Sequence, residues 1–210
     1  MTTTPYSRTE WSLVKGKTAI LNIDLQNDFL HEDGWYAKNN VDISHMQRVI
    51  APTKKIVNEA RKHEIPLIWT RHGTKGLSDG GPFMELRGFL RDGGLRQKTW
   101  GYEILDKLEP DFETDWFVEK TRLSAFYNTN LEVILRGLKT ETIIITGVLT
   151  NQCVGATTKD AIFRDFKPIV VEECTGTTMP HLHTPIIECI KNGWGQVNNL
   201  EVTLADIAKL

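Results

Sequence analysis

The stretch Glu141–Phe166, "ETIIITGVLTNQCVGATTKDAIFRDF", decides the architecture. Its opening, "ETIII", runs into three successive isoleucines without alternation, as a strand buried on both faces requires. Its close, "GATTKDAIFRDF", reads as a helix. Between them Thr146–Val154, "TGVLTNQCV", puts Cys153 where a strand passes into a helix. The same succession extends in both directions. Upstream, Lys17–Leu25, Ile65–Arg71 and Asp115–Lys120 read as strands. Ser44–His63 reads as a helix: Ser44 is a candidate cap, Val49, Ile50, Ile56, Val57 and Ala60 recur at helical spacing, and Pro52 is a candidate kink. Asn130–Gly137 reads as a further helix. Downstream come a strand at Lys167–Glu173, a helix at His183–Asn192, a short sixth strand near Gln196–Leu200 and a last helix over "TLADIAKL".

Alternating strands and helices with continuously apolar strands imply an α/β fold: three layers, a mostly parallel six-stranded sheet with helices on both faces. Residues 17–210 are expected to form one domain, preceded by a loosely held polar arm over 1–16. One segment breaks the rhythm. His72–Trp100 contains "HGTKGLSDGGPF" and "RDGGL" and is long for a connection inside a compact domain. It reads as a functional loop or a subunit contact, with a tolerated surface insertion as the plain alternative.

Composition excludes some functions. Of 210 residues, 40% are apolar and 25% charged, and the net charge of −2 offers no basic surface for nucleic acid or an anionic membrane. The apolar runs fall far short of the roughly 20 residues that span a bilayer. "MTTTPYSRTE" lacks the apolar core of an export signal. Three widely spaced cysteines, Cys153, Cys174 and Cys189, do not suggest a disulfide framework. Free thiols in a reducing cytoplasm are the expectation.

In parallel sheets, sites gather at the carboxyl ends of the strands. The residues there are Asp24, Arg71–His72, Lys120 and the turn Leu149–Cys153. An ordinary thiol, with a pKa near ~8.5, is only about 3% thiolate at pH 7. A helix amino end favours the anion, and Thr150 or Asn151 is placed to cap it. A fall of about two pKa units, roughly 2.7 kcal/mol, would make the thiolate dominant. Asp24, in "NIDLQNDF", has apolar neighbours that should raise its pKa and fit it to accept a proton. Lys120, in "FVEKTRLSAF", would favour both anions. Taken singly, each has a structural explanation: a small core thiol, a turn aspartate, a solvated lysine.

Together, "ILNIDLQNDF", "FVEKTRLSAF" and "TGVLTNQCV" resemble the isochorismatase-like, or cysteine, hydrolase superfamily over about Lys17–Leu204. The resemblance implies an Asp–Lys–Cys triad at Asp24, Lys120 and Cys153. It also implies a cis peptide at Val148–Leu149 that aims the Leu149 N–H, with that of Cys153, at an oxyanion. Nicotinamidases of this superfamily carry an Asp-x-His…His metal motif after the second strand. Here "WTRHGTKG" leaves His72 alone, so no metal and no other cofactor is expected. The pair in "HLH", His181 and His183, reads as surface residues. "EKTRLSAFYNTNLEVILRGL" and "GVLTNQCVGATTKDAIFRDF" are most similar to the ureido and carbamoyl amidohydrolases, which include biuret hydrolase, ureidoacrylate amidohydrolase and N-carbamoylsarcosine amidohydrolase. That resemblance implies a small-molecule amide substrate and a homodimer or homotetramer. Phe29 would wall the pocket, Gln196 would hydrogen-bond a urea-like group, and Arg122 would bind a carboxylate or carbonyl. A structural ion pair for Arg122 and a surface position for Gln196 stay open. Two other functions also remain: a vinyl-ether hydrolase of the isochorismatase kind, which does not need the cysteine, and a non-catalytic interaction protein.

Overall fold

The computed structural model describes residues 8–210; residues 1–7, the first part of the expected arm, lie outside the described residues. The strands are β1 (Thr18–Ile23), β2 (Leu67–His72), β3 (Trp116–Lys120), β4 (Thr142–Val148), β5 (Lys167–Gly176) and β6 (Gln196–Asn198). They form one sheet in the order β3-β2-β1-β4-β5-β6. Every neighbouring pair is parallel, so the sheet is wholly rather than mostly parallel.

Side chains alternate between the faces of a strand, and here both faces are dry. Ile20, Trp69, Ile144 and Val171 point into one apolar cluster. Leu21, Ile23, Ile68, Ile143, Ile145 and Val170 point into the other. Helix α1 (Ile50–Lys62) covers the first cluster with Thr53, Ile56, Val57 and Ala60, spaced three and four apart on one stripe. Helix α2 (Leu77–Leu86) lies in the long connection after β2. Helix α3 (Leu131–Gly137) covers the second cluster through Leu131, Ile134 and Leu135. It is joined there by Ala161 of α4 (Gly155–Ile162) and Ile187 of α5 (His183–Cys189). Helix α6 (Leu200–Ile207) returns to the first cluster with Ile207.

The sequence reading and the structure differ at two helix ends for local reasons. The break in Ser44–His63 falls at Arg48–Val49, ahead of Pro52. Pro52 therefore sits in the first turn of α1, where its missing N–H has no helical partner to lose. The last helix begins earlier than "TLADIAKL", because the Asn199 side chain accepts from the Val202 N–H at 2.8 Å and caps it there.

The connection after His72 is folded. Helix α2 is broken at Gly81, where φ is +56°, a value open to glycine and strained for other residues. A second turn follows at Gly88–Arg91. Arg96 gathers the carbonyls of Leu90, Arg91 and Gly94. Asp28 ties the segment down by accepting from the N–H groups of Trp35 and Leu95.

Candidate active site

The strand order grows outward in both directions from the β1–β4 pair. The crevice above that pair is where an open parallel sheet offers a site. Gly147 lets the two strands close. Its φ is +116°, and a Cβ there would meet the Ile23 carbonyl oxygen at 2.0 Å. Asp24 leaves β1 with φ +53°. Its backbone N–H donates to the Thr70 hydroxyl at 3.1 Å, and that hydroxyl donates back to Oδ1 of Asp24. The carboxylate is thus clamped from β2.

Lys120 comes from the edge strand β3, opposite His72. Only a long side chain can reach across β2, and its Nζ lies 2.7 Å from Oδ2 of Asp24 and 3.4 Å from Sγ of Cys153. It also donates to the Arg122 carbonyl at 3.0 Å. Both charged side chains are wholly buried. Burial opposes the ammonium, but the Asp24 carboxylate, with a smaller contribution from Cys153 and the hydrogen bonds to both, outweighs it and holds its pKa above the ordinary value.

Cys153 sits in a π-helical turn, Thr150–Val154, between β4 and α4. Burial works against the thiolate expected there. Burial pushes the thiol up to about 12; Lys120 works against this and Asp24 adds to it. The helix end is too small an effect to compensate, and neither expected cap is made. The Thr150 hydroxyl is taken by His183 at 3.0 Å, and the Asn151 side chain accepts from Thr177 at 2.7 Å. The resting residue is a thiol with a carboxylate and an ammonium beside it.

His72 completes the cluster. Its Nδ1 lies 3.9 Å from both Cys153 Sγ and Asp24 Oδ2. Burial, then the Lys120 and Arg87 charges, keep it neutral, its pKa well below the usual range. The donor atoms of Asp24, His72 and Cys153 fall within 4.8 Å of one another, a spacing that would suit a metal ion. The Lys120 ammonium occupies the same space, so a divalent cation would face a buried positive charge.

The Val148–Leu149 peptide is cis. No hydrogen bond among the described residues takes up the Leu149 N–H, while its carbonyl accepts from Gln152 and Val154. Above this turn opens a cavity of about 480 Å³, lined by Tyr36, Arg87, Phe89, Leu149, Gln152 and Met179 among others.

The remaining expected residues are placed unequally. Phe29 is buried behind Tyr36, with ring centroids 4.9 Å apart. The Arg122 guanidinium donates to the carbonyls of Asp79 and Thr121. Gln196 lies apart from the cluster, low on β6 opposite Ile169. Its side chain accepts from the Trp11 N–H, donates to Asn198, and lines a separate cavity of about 450 Å³ with residues 8–11. His183, read as a surface residue, is buried because α5 packs on the turn that carries Cys153. Arg48 donates to its Nε2 at 3.1 Å, so its proton is on Nδ1, facing Thr150. The sequence reading gave no role to Thr70, Tyr36 or Arg87; a hydroxyl within a strand and an arginine in a glycine-rich loop carry no periodic signal.

The chain is 30% identical over 178 residues to the ureidoacrylate amidohydrolase RutB of Agrobacterium fabrum, covering 78% of each protein. It is 30% identical over 194 residues to RutB of Enterobacter sp., covering 86% of this chain and 84% of that one. A cysteine hydrolase from Pseudomonas syringae pv. phaseolicola superposes with a TM-score of 0.87 at 23% identity, covering 99% of both chains. N-carbamoylsarcosine amidase from Thermoplasma acidophilum superposes with a TM-score of 0.73 at 23% identity, covering 88% of this chain and 97% of that one. The isochorismatase domain model matches residues 18–201, and the chain belongs to that family.

Proposed function

We propose that the chain is a cysteine-dependent amidohydrolase that releases ammonia from a small ureido or carbamoyl-type amide, of biuret-like size, through a thioester intermediate. One observation carries the reading: a buried ammonium 2.7 Å from a carboxylate and 3.4 Å from a thiol, in a turn whose Leu149 and Gln152 line a cavity. The relatives named ureidoacrylate amidohydrolase support it.

In this reading Asp24 takes the proton from Sγ as the sulfur bonds to the carbonyl carbon. The proton moves only when a carbonyl is present, which suits a thiol that is protonated at rest. Charge develops on the carbonyl oxygen, where the Leu149 and Cys153 N–H groups receive it. Asp24 returns the proton to the nitrogen, the C–N bond breaks, and ammonia leaves. A water molecule then gives its proton to Asp24 and bonds to the thioester carbon. The C–S bond breaks and the proton returns to sulfur. Lys120 stays charged throughout and offsets whichever neighbour is anionic. No metal takes part, so EDTA should leave the rate unchanged.

Ammonia release from a panel of ureides and carbamoyl acids, with intact mass measured during turnover, tests the reading. A substrate-dependent mass adduct that Cys153→Ala abolishes is expected. Undiminished turnover by that variant would overturn the reading and favour vinyl-ether hydrolysis, which needs no thiol. A homodimer or homotetramer is the accompanying expectation, to be sized by sedimentation.

A further inference from the structure

The cavity above Leu149 contains a charge that the proposed chemistry does not use. Arg87 lies in the connection after β2, between α2 and the turn Gly88–Arg91. The residue is half-buried. Its guanidinium rests over the Phe83 ring, 5.3 Å from the centroid, and donates once, to Gln152 Oε1 at 3.0 Å. A guanidinium carries five N–H donors in a rigid fork. Other arginines here spend theirs on acids: Arg61 on Asp115, Arg71 on Glu103 and Glu119, Arg164 on Glu132 and Asp160. Arg122 spends its own on backbone carbonyls. Among the described residues no carboxylate pairs with Arg87.

The walls beside it are Tyr36, Phe89, Leu149 and Met179, and no acid lines the cavity with it. Its field reaches the cluster below, acting on both His72 and Tyr36. The Tyr36 phenol is raised by burial and by the anionic groups beyond it, and stays a neutral hydroxyl on the same wall. Gln152, which Arg87 holds, is the residue before Cys153. Phe83 links the fork to the cluster from the other side: its ring centroid is 5.7 Å from that of His72, whose Nδ1 lies 3.9 Å from the sulfur.

We propose that Arg87 sets the specificity of this site by pairing with a carboxylate at the end of the substrate away from the scissile amide. The preferred substrates are then ureido or N-carbamoyl carboxylic acids rather than neutral ureides. A planar carboxylate suits the fork, which can give it two parallel N–H bonds. A neutral group would leave the guanidinium unpaired. This inference rests on the amidase reading of Cys153, and its test separates the two.

The test compares 3-ureidopropanoate with its methyl ester, which keeps the ureide and loses the charge. The wild type should favour the acid by about 100-fold in kcat/KM. Arg87→Gln should erase that preference by raising KM for the acid, with the ester unchanged to within about threefold. Arg87→Lys, which keeps the charge without the fork, should recover part of the loss. Equal losses on acid and ester, or no preference in the wild type, would overturn the proposal. If neither compound releases ammonia, the amidase reading fails and calorimetry on Cys153→Ala decides for Arg87. Tighter binding of the acid than the ester, lost on adding Arg87→Gln, supports the pairing; equal binding rejects it.

Discussion

Cys153 and Cys174 are both buried thiols in the same sheet region, one just beyond β4 and the other within β5. Burial pushes both up to about 12. By acidity they are the same residue. They differ in what stands beside them. Cys174 has the Thr53 hydroxyl and an apolar cluster around it. Cys153 has a carboxylate, an ammonium and a neutral imidazole, and a cavity opens over its turn. In the proposed reaction Cys153 draws on the adjacent proton acceptor and on an approach for the carbonyl, without a low resting pKa.

The largest expected effect comes from removing each sulfur in turn. Cys153→Ala should lower kcat/KM for ammonia release by about 10⁴-fold, as loss of a covalent nucleophile does. Cys174→Ala should stay within about threefold and show only a modest fall in Tm. Comparable losses at both positions would dissolve the distinction. Next comes the proton acceptor. Asp24→Asn keeps the shape and the Thr70 contact but removes the base, and should cost about 10³-fold in kcat. Lys120→Met should destabilise the fold by about 3 kcal/mol in denaturant titration, because it leaves the Asp24 carboxylate buried without its cation.

Alkylation sharpens the comparison further. With both thiols raised to about 12, labelling of Cys153 and Cys174 by iodoacetamide should rise about tenfold per pH unit between pH 7 and 10 with no plateau. A plateau for Cys153 near neutral pH would restore the resting thiolate. The smallest effect concerns the turn that carries Cys153. His183 is held neutral, its pKa lowered to about 4 by burial and then by the Arg48 and His45 charges. The unfolded chain binds that proton near pH 6.5. The stability His183 contributes is therefore complete above about pH 6.5 and is lost as the pH falls toward 4. His183→Asn should flatten that slope in urea titrations across this range.

Much of the site was legible from chain order because parallel sheets put functional residues at strand ends. "TAILNI" and "TIIITGV" read as buried strands ending at Asp24 and the Cys153 turn, and their pairing in the sheet brings those two ends side by side. Lys120 was legible as a strand end, though not as a side chain that crosses β2 to reach them. Arg87 was hidden by Gly80, Gly81 and Pro82, which read as breakers while the structure folds a kinked helix around them. Gln196 stands apart from the cluster because β6 pairs low on β5, a register that its three residues do not encode.

Hydrophobic periodicity determined the α/β fold and the order of its elements, and the resemblance carried by three strand-end stretches singled out Asp24, Lys120 and Cys153. Both are short-range properties, carried by neighbouring residues. The protonation of Cys153, the burial of His183 and the exposure of Arg87 to the cavity were decided only by tertiary structure. Each depends on which distant segments exclude water from a side chain, and that desolvation exists only once the chain has closed around it.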